Sequence, residues 1–262
     1  MVLHSALNVF GLIKIRQLFM KMIMKIWMAA LCVAAMAVAT SCGNNDDDNN
    51  YKVVTITAAE KAQQIAQLAG NYTGLAYADD DTTSVDPVAI EWNVAADSVL
   101  TVKNFPLSVM RYYLQKPANY DKTAREAYKA AINAMKTTYI AQLKANLTMA
   151  PSRLAMNNGF FDFAVNAAGA RDLSALTSTF PIVVKDSLGT RQETAQITFR
   201  ACTRYSVSGI PYYDLSGSYG KYQEGNLELH LKPATITISN DKTYNFVLGL
   251  NRPLDIVLRG KK

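Results

Sequence analysis

The sequence predicts an α+β domain made mainly of antiparallel β-strands, either a closed barrel or a β-sandwich, with one long helix and one short N-terminal helix. Apolar and polar residues alternate through most of the second half of the chain, which is typical of strands with one buried face. One stretch, about residues 121–147, instead repeats its apolar residues every three or four positions, as a helix does. A barrel and a sandwich both limit exposed sheet edges, so both architectures remain open.

The short N-terminal helix is predicted over Ala58–Ala69. Thr57 and Glu60 form a capping-box pattern, in which each side chain accepts a hydrogen bond from the other residue's free backbone amide. Ile65 lies on the expected apolar face, and Gly70 is expected to end the helix.

The first predicted strands follow this helix. The segment Gly70-Asn-Tyr-Thr-Gly74 opens one strand, and Val88–Val94 alternates large apolar residues with small or polar ones. Asp97-Ser98 supplies a turn into Val99–Phe105, which we expect to pair with the preceding strand as a hairpin. Pro106 then ends the pairing, because proline has no amide hydrogen to donate.

The long helix is predicted from Asp121, as its cap, to Leu147, and Pro151 lies just beyond it. Its apolar stripe recurs at three- or four-residue steps, and we expect this stripe to pack on the sheet. The stripe residues are Ala124, Tyr128, Ala131, Met135, Tyr139, Leu143 and Leu147.

Short strands joined by polar turns fill the rest of the chain and predict an antiparallel meander. Ala195–Val207 is predicted to be one continuous strand. On this reading Arg200, Cys202 and Arg204 share its polar face, because they are spaced two residues apart. Alternating strands are then expected from Leu227 to Leu258.

The N-terminal segment predicts an export signal. Lys21 and Lys25 precede Ile26–Thr40, an apolar to weakly polar run of fifteen residues. A membrane-spanning helix needs about 20 apolar residues, so this run has the length of a signal-peptide core. Residues 1–41 are therefore predicted to be a signal peptide. Residues 1–19 are interpreted as a misassigned start extension, because a complete signal follows whether the chain starts at Met20, Met22 or Met24; the alternative is a functional leader.

Residues 42–56 are predicted to be a flexible tether, and residues 57–262 a single β-rich domain. The tether contains Asp46–Asp48 in a polar run that has too little apolar area to fold. Four of the 27 basic residues and none of the 21 acidic ones lie in the first 41 residues, so the exported chain is nearly neutral. No cluster of Lys and Arg indicates nucleic-acid binding.

The residues around Cys42 resemble the lipobox of bacterial lipoproteins, in which a small residue precedes a cysteine that is acylated. Together with Asp46–Asp48, Gly70-Asn-Tyr-Thr-Gly74 and Lys103-Asn-Phe-Pro-Leu-Ser108, they resemble a family of Bacteroidota surface lipoproteins with calycin-like (lipocalin-like) β domains. The resemblance implies lipidation at Cys42, for example with palmitate, an outer-membrane anchor, exposure at the cell surface and a calycin-like barrel. The family has no established activity.

Cys32 is lost with the predicted signal peptide, and acylation of Cys42, which the lipobox-like residues around it imply, leaves Cys202 alone, so no internal disulfide is expected.

No catalytic site, metal site or cofactor is predicted, and the protein is expected not to be an enzyme. His230 is the one histidine after the signal segment, on a strand face shared with Glu228 and Lys232 where we expect it to be solvent-exposed. The aspartate-rich loop Asp79–Asp86 lacks the glycine and the closing glutamate of a calcium-binding loop.

Tyrosines and arginines are the candidate ligand-binding residues. Tyrosine combines an apolar ring with a polar tip, which suits sugars or peptides, although burial in the core is the alternative for each. Arg200 and Arg204 flank Cys202, and their guanidinium groups would lower the pKa of its thiol or attract an acidic ligand. The favoured alternative is a solvent-facing strand whose arginine side chains extend into water. The tyrosine candidates are Tyr112, Tyr113, Tyr212, Tyr213, Tyr219 and Tyr222.

We therefore expect a non-catalytic binding module for a glycan, a peptide or a small apolar ligand, lipid-anchored at the outer membrane and facing outward. The alternative is a structural or assembly subunit of a surface structure such as fimbriae. In that case a terminal strand such as Leu254–Leu258 would leave its own sheet to pair with a neighbouring subunit.

Overall fold

A computed structural model describes residues 52–79, 87–116, 122–156, 160–170, 173–186, 189–240, 244–248, 250 and 254–262. The predicted signal peptide, Cys42 and the tether up to residue 51 lie outside these residues. Val53–Thr55, at the end of the predicted tether, forms strand β1 and pairs with a later strand, Ser152–Leu154.

The described residues form two α-helices, α1 (Ala58–Leu68) and α2 (Lys122–Thr137), and a 3-10 helix at Leu107–Tyr113. The predicted capping box of α1 is confirmed. The Glu60 amide donates to Thr57 Oγ1 at 3.2 Å, and the Thr57 amide donates to Glu60 Oε2 at 2.8 Å.

None of the helices in the described part of the chain is long and apolar enough to cross a membrane.

The remaining described elements are β-strands, numbered in chain order after β1. They are β2 (Gly70–Asp79), β3 (Val88–Val94), β4 (Val99–Pro106), β5 (Tyr139–Met149), β6 (Ser152–Leu154), β7 (Phe160–Ala167), β8 (Thr177–Asp186), β9 (Gly189–Phe199), β10 (Thr203–Val207), β11 (Ile210–Asp214), β12 (Tyr219–Gln223), β13 (Asn226–Leu231), β14 (Pro233–Asn240), β15 (Tyr244–Leu248) and β16 (Asp255–Lys261).

Eight of these strands close into an antiparallel barrel in the order β12-β13-β16-β2-β3-β4-β5-β7, with β7 pairing back to β12. The predicted fold class is confirmed, and the structure selects the barrel over the sandwich. Alternate residues of each strand face a packed interior, for example Ile90, Trp92 and Val94 on β3, all of which are buried.

Side chains fill the barrel where β2 and β16 approach each other. Gly74 and Gly260 lie opposite each other in register. A Cβ atom on Gly260 would lie 2.5 Å from Cη2 of Trp92 and 2.5 Å from the Thr73 carbonyl oxygen. The Trp92 ring stacks on Tyr72, with ring centroids 5.7 Å apart. Gly260 therefore leaves the space that the Trp92 ring occupies, whereas Gly74 lets the backbones of β2 and β16 approach closely, because its Cβ would collide with the Arg259 carbonyl oxygen.

A second sheet, in the order β15-β14-β9-β8, packs its apolar face into the same core, and α2 packs on β8. Phe199 at the end of β9 meets Phe105 of β4 edge to face, with ring centroids 6.2 Å apart. Two further pairs of short strands, β1–β6 and β10–β11, complete the described sheets. We call them the β1–β6 ribbon and the β10–β11 ribbon.

Two predicted boundaries are wrong. The long helix ends at Thr137, and the predicted helical residues from Tyr139 onward form β5. Tyr139, Leu143 and Leu147 are four residues apart, and a four-residue step is also two strand periods, so their spacing fits either structure. The predicted strand Ala195–Val207 is likewise divided into β9 and β10.

Candidate functional site

A cavity of about 210 Å³ lies between the start of β7 and the two ribbons. We call it the ribbon cavity. Its walls include Ser152 and Arg153 of β6, Asp162 of β7, and Tyr212 and Tyr213 of β11. Tyr212 and Tyr213 are distant in sequence from Ser152, Arg153 and Asp162, so the cavity depends on the fold that brings these strands together.

A hydrogen bond and an ion pair hold the cavity walls together. The Ser152 hydroxyl donates to the Pro211 carbonyl oxygen at 2.6 Å, which joins the β1–β6 ribbon to the β10–β11 ribbon. Arg153 lies 3.6 Å from Glu60 of α1, measured from Nη2 to Oε1. The Ser152 bond stabilises the relative position of the two ribbons, and with it the shape of the cavity.

Asp162 is the carboxylate of the cavity. Its neighbours Phe161 and Phe163 are both buried in the core, so the alternation of the strand places Asp162 outside the barrel interior. Its Oδ1 atom is buried and has no hydrogen-bond partner among the described residues. Burial raises the pKa of Asp162, and the positive charge of Lys221 on the paired strand β12 partly opposes that rise.

The tyrosines of β11 are the aromatic part of the cavity. The Tyr212 ring stacks on Tyr205 across the β10–β11 ribbon, with centroids 5.7 Å apart and planes 24° apart. Burial raises the pKa of Tyr213 above its ordinary value, and the charge of Arg204 opposes part of the rise. The Tyr213 hydroxyl is therefore a neutral hydrogen-bond donor at physiological pH.

The structure places the predicted arginines outside this cavity. Arg200 follows β9 and Arg204 lies on β10, and both side chains are exposed. The expectation of a lowered thiol pKa at Cys202 is wrong. Cys202 is only 3% exposed, and its thiol donates to the Ser218 carbonyl oxygen at 3.1 Å. Burial raises the pKa of this thiol to about 11.

The other predicted tyrosines lie elsewhere. Tyr222 is buried in the barrel against Phe161, with ring centroids 5.1 Å apart. Tyr219 is half-buried on the outer wall of the barrel. Tyr112 and Tyr113 are the last residues of the 3-10 helix, and the structure does not describe their side chains. Of the four candidate tyrosines whose side chains the structure describes, Tyr212 and Tyr213 are the two that line the ribbon cavity.

His230 is buried between two carboxylates, so its expected solvent exposure is wrong. It is 7% exposed, with Nδ1 2.9 Å from Asp255 Oδ2 and Nε2 2.7 Å from Glu228 Oε1. Tyr219 stacks on the ring, with centroids 4.4 Å apart and planes 3° apart. Arg259 Nε donates to the second Glu228 oxygen at 2.6 Å.

The protonation of His230 follows from these contacts. Burial alone would lower its pKa, but the hydrogen bonds and charges of Asp255 and Glu228 outweigh burial and raise it. Burial likewise acts to raise the pKa of Glu228, whereas its bonds to His230 and Arg259 lower it. A protonated ring can donate from both nitrogen atoms, which leaves neither nitrogen available as a base or metal ligand.

Among the residues that the structure describes, no group of three or more His, Cys, Asp or Glu side chains is arranged to hold a metal ion.

Reasoning from sequence missed most of the cavity. Asp162 is one outward residue of an alternating strand, and Ser152 and Arg153 lie on a strand of three residues. No local pattern marks them. The sequence did contain a pattern that indicates the contact between His230 and Glu228. The two residues are two positions apart on β13 and therefore lie on the same face of the strand.

The comparisons with known proteins give a family without an assigned activity. A family model described as "Domain of unknown function (DUF4840)" matches residues 67–238. This range contains all three strands that supply the polar and aromatic cavity residues named above, β6, β7 and β11. No curated protein and no solved structure matches the chain.

Proposed function

The chain belongs to the DUF4840 family, a domain of unknown function, and we propose that it is a non-catalytic ligand-binding module that binds its ligand in the ribbon cavity. The observation that carries this proposal is a concave site where two tyrosines, a carboxylate and an arginine meet. A cavity that combines aromatic walls with a few polar groups is the usual form of a small-molecule site.

The size of the cavity restricts what enters it. Sites for drug-sized ligands have volumes of roughly 300–1,000 Å³, and the ribbon cavity has about 210 Å³. It therefore accommodates one residue or one end group of a ligand. A glycan or peptide would place a single unit there, and a free ligand would have to be small.

The aromatic wall is organised in advance of binding. Tyr212 is held by its stacking on Tyr205, and the strand that carries it is tied to β6 through the Ser152–Pro211 hydrogen bond. Fixed side chains lose little conformational entropy when a ligand binds, which favours affinity.

The absence of catalysis is part of the proposal. Cys202 is shielded and its thiol pKa is raised to about 11, so it has little thiolate at neutral pH. Both ring nitrogens of His230 contact carboxylates. Neither residue is set up as a nucleophile or as a general base.

The proposed location is the outer membrane, with the binding domain facing out of the cell. It is supported by the signal-like segment 1–41, the lipobox-like residues at Cys42 and the acidic run Asp46–Asp48. The acyl chains on Cys42 would hold the protein in the membrane, and the run after it would separate the domain from the lipid surface. Ligands would then be molecules outside the cell.

The alternative, a structural or assembly subunit, has less support. It requires a terminal strand that is free to pair with a neighbouring subunit. The terminal strand β16 is hydrogen-bonded on both sides within the barrel, to β13 and to β2. Donating it would open the barrel.

Titration of the full-length chain, solubilised in detergent, with panels of glycans, short peptides and small apolar compounds tests the function. We expect one class to bind, and Tyr212→Ala and Tyr213→Ala each to weaken that binding by roughly 5- to 30-fold, as loss of a buried aromatic contact does. Tyr139→Ala is the matched control, because Tyr139 is 52% exposed and lies on β5. Absence of binding by every class, or equal affinities in all three variants, contradicts the proposal.

A further inference from the structure

We propose that Asp162 determines the ligand class of the ribbon cavity, and that this class is a neutral sugar residue whose hydroxyl donates a hydrogen bond to the Asp162 carboxylate. This inference rests on the proposed function, because it names the ligand of the same cavity.

Asp162 offers an acceptor that the described residues leave unused. Its Oδ1 atom is buried without a hydrogen-bond partner, and a buried acceptor without a donor is unfavourable. The torsion that carries the two carboxylate oxygens is broad and nearly two-fold. Because Oδ1 has almost no exposed surface, a ligand donor reaches this oxygen only when the carboxylate turns about that torsion toward the cavity.

The charges around Asp162 disfavour a charged ligand. Lys221 lies directly across from Asp162 in the pairing of β7 with β12, and Arg153 stands in the cavity wall beside its partner Glu60. A cationic ligand would meet Arg153, and the charge of Lys221 already offsets part of the attraction that Asp162 would offer it. An acidic ligand would meet the Asp162 carboxylate itself. A neutral hydroxyl satisfies the acceptor without either repulsion.

The aromatic wall disfavours a ligand without donors and suits a sugar ring. A purely apolar ligand would remove the remaining solvent from the half-buried Asp162 carboxylate and offer no donor in return, which costs affinity. A sugar residue presents an apolar ring face for Tyr212 and several hydroxyl donors within one residue, which is the amount of ligand that the cavity accommodates. A peptide amide is also a neutral donor, so the experiment must distinguish peptide binding from sugar binding.

The test is calorimetric titration of the full-length chain in detergent with four probes of matched length. These are a neutral hexose oligosaccharide, one with uronic acids, one with amino sugars, and an uncharged Gly/Ser peptide. The neutral oligosaccharide is expected to bind most tightly. Asp162→Asn is expected to weaken it about tenfold, because the sugar hydroxyl then donates to a neutral amide oxygen instead of a charged carboxylate.

Deoxy analogues of the bound sugar complete a double-mutant cycle. Removing the hydroxyl that meets Asp162 should weaken binding to the parent chain more than it weakens binding to Asp162→Asn, whose amide oxygen is a weaker acceptor. Glu91→Gln, at an exposed carboxylate on β3, is the control and should bind like the parent. Tighter binding of the charged probes or the peptide, or an unchanged affinity in Asp162→Asn, overturns the inference.

The failure of this inference can be distinguished from failure of the proposed function. Binding of a peptide or an apolar compound that Tyr212→Ala abolishes contradicts the sugar assignment and leaves the binding module intact. If no class of ligand binds, the proposed binding function is contradicted, and so is the role of Asp162 in selecting the ligand.

Discussion

His230 links the stability of the barrel to pH, because its protonated ring bridges Asp255 and Glu228. Its pKa in the folded protein is raised above the ordinary value of 6.5. Its contribution to stability is therefore fully present below pH 6.5 and is lost as the pH rises through the folded pKa. Glu228 has a pKa lowered from 4.5, so its contribution is present above pH 4.5 and is lost as the pH falls.

We predict that the free energy of unfolding is larger at pH 5.5 than at pH 8, measured by urea denaturation at both values. His230→Gln should lower stability by about 1–3 kcal/mol at pH 5.5, because it leaves partly buried carboxylate oxygens without partners. It should also remove most of the difference between the two pH values. A parent chain that is equally stable at pH 5.5 and pH 8 would show that this ion-paired arrangement does not stabilise the fold.

Cys202 gives a second prediction about a single residue. The thiol is buried, donates to the Ser218 carbonyl oxygen and has its pKa raised to about 11. In a Cys32→Ser, Cys42→Ser chain, Cys202 is the sole thiol. We expect it to react with a disulfide reagent at pH 7.5 only when the chain is unfolded, at least about a hundredfold slower in the native state.

Fast modification of Cys202 in the folded chain would contradict its burial and would show that this thiol can act as a nucleophile. The flanking arginines of the predicted strand are not a sufficient guide to reactivity. Their exposed side chains lie near Cys202 in sequence, but the desolvation of the thiol dominates its pKa.

At the scale of single residues, sequence is informative where a pattern is local and uninformative where contacts come from distant segments. The capping pair Thr57 and Glu60 was predictable because both partners lie within one helical turn. The unpartnered carboxylate of Asp162 was not, because part of its surroundings comes from β11, a strand distant from it in sequence. Tyr212 and Tyr213 were predicted from residue type alone.

At the scale of elements, the alternation in β3 predicted the strand correctly, whereas α2 and β5 were merged into one helix. Apolar residues four positions apart share a face in a helix and also in a strand, so only three-residue steps distinguish the two structures. The last steps of this stripe are all four residues long. Thr137 and Thr138, which have weak helix propensity, stand at the observed boundary.

The pairing of β2 with β16 gives a prediction about the barrel wall. A Cβ atom at position 260 would collide with Trp92 and with the Thr73 carbonyl oxygen. Gly260→Ala should therefore lower the free energy of unfolding by about 1–3 kcal/mol, as overpacking of a filled core does. Urea denaturation measures the change, with Thr73→Ala at an exposed neighbouring position as the control. An alanine that leaves stability unchanged would mean that the space beside Trp92 is not filled.

At the scale of the whole molecule, the barrel is built for packing, and the candidate site lies beside it. Eight-stranded barrels can be filled by side chains or can hold a small ligand. Here Tyr72, Trp92 and Phe163 are buried inside, and the ribbon cavity is formed by strands added around the barrel. The resemblance to calycin-like domains therefore agrees with the barrel architecture and does not by itself locate the ligand.

The proposed anchor predicts where the whole molecule resides in the cell. Cys42→Ala should move the protein from the membrane pellet to the soluble fraction, because the acyl chains would be its attachment to the bilayer. Cys202→Ala, which removes a buried thiol, is the matched control and should stay in the pellet. Retention of Cys42→Ala in the pellet would contradict the lipid anchor.

The central claim is that the ribbon cavity is the binding site, and a crystal structure of the chain with the ligand found by titration tests it most directly. We expect one unit of the ligand to lie between Asp162, Tyr212 and Tyr213, with the barrel interior unchanged. A ligand bound inside the barrel, or at a surface that contacts none of these three residues, would contradict the claim.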